Sequence, residues 1–224
     1  MCGRYSLTVK KEKLKQEFGL QEEHLKSFSP RYNIAPSQPV SVLISQEGKP
    51  KLELCNWGLI PSWAKDPAIG NRMINARKET VTEKPSFRGP FKNKRCLVLA
   101  DGFYEWKKEG PRKIPFYIRL KSNRPFGFAG LYSDWQSKEG RKVSSCAIIT
   151  TVPNELVRPI HERMPVILLP GKREEWLDPK NNNLEQLLQM LEPYPANEME
   201  AYPVSKLVND PKNDSPDCIL KARD

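Results

Sequence analysis

No CxxC pair occurs in this chain, and histidine is down to two residues, His24 and His161. That shortage argues against a zinc finger or other metal site, and no cofactor is expected. Cysteine is odd in number, at five. An unpaired count with no regular spacing argues against a disulfide framework and for a reducing, cytoplasmic home. No apolar run approaches the 18 residues that a membrane helix needs. Arg4 and the lysines at 10, 11, 13 and 15 interrupt any apolar stretch near the N-terminus, so no signal peptide is expected. A P-loop, a GxGxxG turn and internal repeats are missing too.

What the chain has in excess is positive charge, unevenly placed. The total is +10. Residues 1–173 hold 32 Lys/Arg against 16 Asp/Glu, whereas residues 174–224 hold 5 against 11. A basic body with an acidic last quarter favours a polyanionic partner, most often nucleic acid, although a merely solvated surface has the same composition. Proline, at 21 residues, is roughly twice its usual share of about 5% and punctuates loops without forming a low-complexity tract.

The patterning predicts a mixed α+β protein. Lys10 to Phe18 reads as a short amphipathic helix stopped by Gly19. Residues 39–45 and 51–60 read as a hairpin around the turn at 46–49. Further strands are expected at 95–100, 103–107, 114–120, 125–131 and 143–151. Helices are expected at 75–83, 172–177 and 184–191, the last from leucines at i, i+3, i+4 and i+7. Many closely spaced strands with few helices predict an antiparallel β barrel or sandwich-like core with peripheral helices. No linker is apparent, so a single domain over 1–224 is expected. Cys55, Cys96 and Cys146 sit in apolar strands and read as core residues.

Cys2 stands apart from these. If Met1 is removed, Cys2 carries an α-amine and a thiol on adjacent carbons. The amine attacks an aldehyde to give an imine, and the thiol then closes a thiazolidine ring. The α-amine has a reference pKa of about 7.7–8.0 against about 10.4 for lysine, so near neutrality a substantial share is the free nucleophile. Left behind Met1, the same residue is an ordinary cysteine.

Six strings look like site segments: Cys2-Gly3-Arg4-Tyr5, residues 31–36 (RYNIAP), residues 57–64 (WGLIPSWA), residues 74–79 (INARKE), residues 100–106 (ADGFYEW) and residues 161–165 (HERMP). In this order, with cysteine at position 2, they resemble the SOS-response-associated peptidase (SRAP) family, which senses abasic sites in single-stranded DNA and links to them covalently. The resemblance runs from Cys2 to about Pro165 and continues more weakly beyond. It implies that Cys2 is the catalytic N-terminal residue, with Asn75, Glu105 and His161 as its helpers. Glu105 would relay protons best with a pKa raised by its aromatic neighbours. His161 would exchange protons with the sugar oxygens, and Asn75 would position the N-terminus or the sugar.

As residues alone, Asn75 also fits a helix N-cap, Asn33 a turn, His161 a solvated turn and Glu105 a surface position. Arg4, Asn33, Arg77 and Arg163 are the expected DNA contacts, with Trp63 stacking on a base. Lys84 to Arg95, with Phe87 and Phe91 interleaved, is a candidate single-strand groove. The resulting expectation is a protein that crosslinks abasic sites in single-stranded DNA, with self-removal of Met1 and a lyase side reaction in reach. Two alternatives are a cysteine peptidase using Cys2 and His161, and a non-covalent single-strand binder. No membrane contact is expected.

Overall fold

The structure is a computed structural model that describes residues 2–26 and 28–222. Its strands in chain order are β1 (Tyr5–Leu7), β2 (Arg31–Ile34), β3 (Pro39–Gln46), β4 (Lys49–Trp57), β5 (Asn75–Arg77), β6 (Arg95–Ala100), β7 (Gly102–Glu109), β8 (Arg112–Leu120), β9 (Phe126–Gln136), β10 (Lys142–Thr151), β11 (Met164–Pro165) and β12 (Met199–Pro203). The helices are α1 (Lys11–Phe18), α2 (Pro85–Asn93), α3 (Arg173–Leu177) and α4 (Leu184–Gln189). The strands build two sheets. One runs β12-β8-β7-β1-β2. In the other, β10-β4-β3-β6-β9 closes on itself because β9 also pairs with β10, giving a five-stranded barrel. The α+β class with a barrel core is therefore as the patterning predicts.

The barrel closes because its strands carry apolar residues on the inward face and small residues where backbones approach. Every residue of β6 is buried. On β9, a Cβ added at Gly130 would lie 2.9 Å from the Cys96 sulfur, so the glycine is what admits β6 at that distance. Cys2, Tyr5 and Phe103 bring the second sheet into the same hydrophobic cluster as the barrel. Tyr5 packs edge-on against both Trp57 and Phe128, linking the N-terminal strand to the barrel wall.

Two segments depart from the periodicity. The helix expected at 75–83 is instead strand β5 followed by a 3-10 turn at Lys78–Thr80. Asn75, Ala76 and Arg77 pair in parallel with Ile148, Ile149 and Thr150, so a ladder on the buried part of β10 overrides local helix propensity. Helix α2 forms although Gly89 and Pro90 lie inside it. Phe91 is buried edge-on against Trp176, and that tertiary contact outweighs the local penalty.

The acidic last quarter lies against the basic body. Strand β12 covers the β8 edge, and Glu192, Glu200 and Asp214 pair with Lys78, Arg119 and Arg31. Among the described residues no helix is long and apolar enough to cross a membrane.

Candidate active site

Cys2 lies just before β1, which pairs with β7 and β2 in the open sheet, and is fully buried. Its backbone carbonyl accepts a hydrogen bond from Asn75 Nδ2 at 2.8 Å. Asn75 is delivered there by the β5–β10 ladder, so the misread helix is what aims this amide. Burial, reinforced by the nearby Glu105 carboxyl, pushes the Cys2 thiol well above its ordinary range. The sulfur is thus a neutral thiol near pH 7 and not a preformed thiolate.

Glu105 projects inward from β7 and is 3% exposed. Burial raises its pKa to about 8, so near neutrality it is mostly a protonated acid. His161 stands opposite, with Nε2 3.7 Å from Glu105 Oε2. The Arg163 backbone N–H donates to His161 Nδ1 at 3.1 Å and fixes the ring. Burial lowers the imidazole below its ordinary value. At neutral pH the pair is therefore a neutral acid facing a neutral base, despite a separation that would suit an ion pair.

Two acceptors near Cys2 stand out. Asn75 Oδ1 and Glu105 Oε1 are both buried without a hydrogen-bond partner among the described residues. A buried polar atom without a partner is costly, on the order of 1–3 kcal/mol, so these two oxygens mark a place where an incoming polar group would be stabilised.

The expected DNA contacts divide sharply. Trp63 is exposed beside a surface pocket of about 240 Å³ that is also walled by Pro85, Ser86, Gly89 and Pro90 of α2. Lys84, Arg88 and Lys92 are exposed on that helix and its N-cap, and Arg77 is exposed on β5. The other expected contacts are engaged inside the protein. Arg4 donates through Nη1 to Asn33 Oδ1 and the Val208 carbonyl and lies over the Trp106 ring. Arg163 makes a bidentate pair with Glu79 at 2.7 and 2.9 Å and also reaches the Thr150 carbonyl. Within the expected groove, Phe91 is core, and Arg95 is buried with its guanidinium on carbonyls of Trp176, Phe91 and Asn181.

Asn33 is not the turn residue its sequence suggests, but a fully buried residue of β2. Its Nδ2 faces the carbonyls of Val208, Asp210 and Asn213, and its Oδ1 accepts from Arg4. No polar atom is left for a phosphate. Asn33→Ala would strand several buried acceptors at about 1–3 kcal/mol each. The expected result is a drop in thermal midpoint of about 5–10 °C by calorimetry, since each kcal/mol moves a domain of this size by about 2–4 °C. A variant melting within a degree of wild type would refute the hub role.

Sequence reasoning passed over Glu79 and Trp106, although both lie inside the quoted strings. Glu79 clamps Arg163, whose backbone in turn holds His161. Trp106 donates from Nε1 to Asn209 Oδ1 and carries Arg4 on its ring. Nothing in residue spacing signals either role, because each partner lies about 80 or more residues away.

The structure is thus a β barrel joined to a second sheet, with Cys2 near a buried acid that in turn faces an imidazole. The chain belongs to the SOS response associated peptidase (SRAP) family, whose model matches residues 1–211. It is 50% identical over 221 residues to the abasic site processing protein YoqW of Bacillus subtilis (strain 168), covering 98% of this chain and 99% of that one. It is 32% identical to the abasic site processing protein HMCES of Gallus gallus, covering 98% of this chain and 77% of the relative. A crystal structure of a Bacteroides thetaiotaomicron protein superposes with a TM-score of 0.89 at 31% identity, covering 99% of this chain and all of the other.

Proposed function

We propose that this protein captures abasic sites in single-stranded DNA as a thiazolidine on Cys2, once Met1 has been removed. The observation that carries the reading is the pair of orphaned acceptors, Asn75 Oδ1 and Glu105 Oε1, at a residue whose amine and thiol are the complementary reagents. The names of the relatives supply the lesion. The charge of residues 1–173 and the exposed Trp63, Arg77 and α2 cations supply a surface for the strand.

The protonation states set the order of events. His161 exchanges protons with the sugar oxygens and opens the ring to the aldehyde. The Cys2 amine adds to the aldehyde carbon. Glu105 gives its proton to the resulting hydroxyl, which leaves as water, and an iminium remains beside the new carboxylate. The thiol sulfur then bonds to the iminium carbon, and its proton returns to Glu105. The sum is aldehyde plus aminothiol going to thiazolidine plus water, with the acid regenerated. A thiol held neutral by burial suits this amine-first order. The iminium also acidifies the neighbouring sugar carbon, so strand opening by β-elimination is an accessible side reaction.

A general cysteine peptidase is less well supported. His161 Nε2 faces Glu105, and the Asn75 amide binds the carbonyl of Cys2 itself, one peptide beyond the Met1–Cys2 bond. Removal of Met1 by the protein or by an aminopeptidase serves the proposal equally.

The test mixes protein of intact mass lacking Met1 with a single strand carrying one abasic site, followed by a denaturing gel. A heat-stable shifted species consuming most of the limiting DNA is expected. Only salt-reversible binding, equal for intact and abasic strands, would refute the reading and leave a non-covalent binder.

A further inference from the structure

Beyond Glu105, strand β7 runs on into a hairpin with β8, whose tip holds Lys107, Lys108, Arg112 and Lys113 against a single acid, Glu109. Lys107 is already paired with Glu109 at 2.6 Å. Lys108 and Lys113 are both exposed, stand directly opposite each other in the ladder, and have no ion-pair partner among the described residues. Opposed residues share a face with Cβ atoms about 4.5–5.5 Å apart, and like charges there are destabilising. The alternation of a strand puts them on the Trp106 side, the side on which Arg4 lies. Lys108 is three residues, roughly 10 Å, from Glu105 along the strand. It is also close enough to His161 for its charge to be among those holding the imidazole down, after burial and the amino-terminal charge.

We propose that the Lys108–Lys113 pair is a phosphate clamp that grips the DNA strand flanking the lesion, an inference that rests on the function proposed above. An uncompensated pair of ammonium groups at the tip of the strand that carries Glu105, on the opposite face of that strand, is complementary to one or two backbone phosphates of a DNA strand that passes the hairpin tip. Bridging by phosphate removes the repulsion that the pair carries in the free protein. The clamp reads no base and acts on the flank, so it changes affinity and leaves the chemical step alone.

The experiment compares wild type with the Lys108→Gln/Lys113→Gln double variant by fluorescence anisotropy. The probe is a single strand carrying a tetrahydrofuran abasic analogue, which has no aldehyde and cannot crosslink. Salt is varied from 50 to 200 mM. Losing two single-strand contacts at about 0.7 each lowers the log–log salt slope by about 1.4, a weakening of about 60-fold at 50 mM and about tenfold at 200 mM. The double variant melts no lower than wild type, because it removes a like-charge pair. At saturating true abasic DNA and pH 8, where His161 is neutral with or without the Lys108 charge, its crosslinking rate stays near wild type. A Lys10→Gln/Lys13→Gln variant, matched in charge but beyond the far end of β1, controls for net charge. An unchanged slope, or an equal change in the control, overturns the clamp. An unchanged DNA slope with lost binding of a poly-glutamate peptide reassigns the hairpin to a protein partner and also overturns it. Failure of wild type to crosslink at all is a different result and strikes the proposed function instead.

Discussion

Cys2→Ala and Cys2→Ser each lose the covalent species that survives a denaturing gel, and each regains one only after borohydride. The three residues separate the two nucleophiles. All are small enough for Met1 to be removed, and all then present an α-amine. Alanine and serine form an imine, which hydrolyses on denaturation unless it is reduced to a secondary amine. Only cysteine has the sulfur that closes a stable ring. The expected yield without reductant falls from near-complete to background in both variants. With reductant, a band returns in both, because the amine and Glu105 are intact. A persistent unreduced band from Cys2→Ala would place the linkage on another residue and end the proposal. A wild-type chain that retains Met1 is the matching control: it keeps the buried thiol but has its amine a residue too far away, so it gives no ring.

Glu105→Gln slows crosslinking by about 10²–10⁴-fold, the usual range for losing a positioned acid–base group. It should leave anisotropy binding of the tetrahydrofuran strand unchanged. The pH profile makes the assignment specific. In wild type the rate rises as the amine loses its proton, near its reference value of about 7.7–8.0. It falls again as Glu105, with a pKa of about 8, loses its own. The maximum lies close to pH 8, and the two limbs belong to the coupled pair. In the variant the alkaline fall is gone. Stability moves with the same group. The folded pKa of about 8 exceeds the ordinary carboxylate value of 4.5. The contribution of the buried acid is therefore fully present below about pH 4.5 and is lost as pH rises through about 8. Glu105→Gln has no such loss, so its melting midpoint should gain several degrees on wild type between pH 5 and pH 9. A variant with wild-type rate, or with an unchanged alkaline limb, would remove Glu105 from the mechanism.

The barrel strands were legible because their apolar runs are bounded by turn residues, and α1 because Leu14 and Phe18 fall one turn apart. Cys2 was legible as chemistry before any fold was known. What stayed hidden was long-range pairing. Residues 75–77 have no strand signature of their own and take their conformation from β10. Gly89 and Pro90 argue locally against α2, and only the contact with Trp176 reverses them. The same limit applies at the site. A charged or polar residue beside a motif reads as a surface contact, yet Arg4, Asn33 and Arg163 find their partners inside the protein, on Val208, Asn213 and Glu79. Sequence proximity located the neighbourhood of the chemistry. It did not separate the side chains that face the substrate from those that hold the scaffold.

The Asn33 hub has a consequence for timing during synthesis. Asn33 and the Val208 carbonyl it binds are 175 residues apart. At about 5–20 residues per second, a ribosome needs roughly 9–35 s to cover that interval. Until then β2 lacks its pin and Arg4 lacks one of its acceptors. The N-terminal strands therefore leave the ribosome well before the segment that pins them exists. The first-made strands are thus fixed by the last-made segment, and a chain cut short before Val208 leaves Asn33 without the carbonyls it binds.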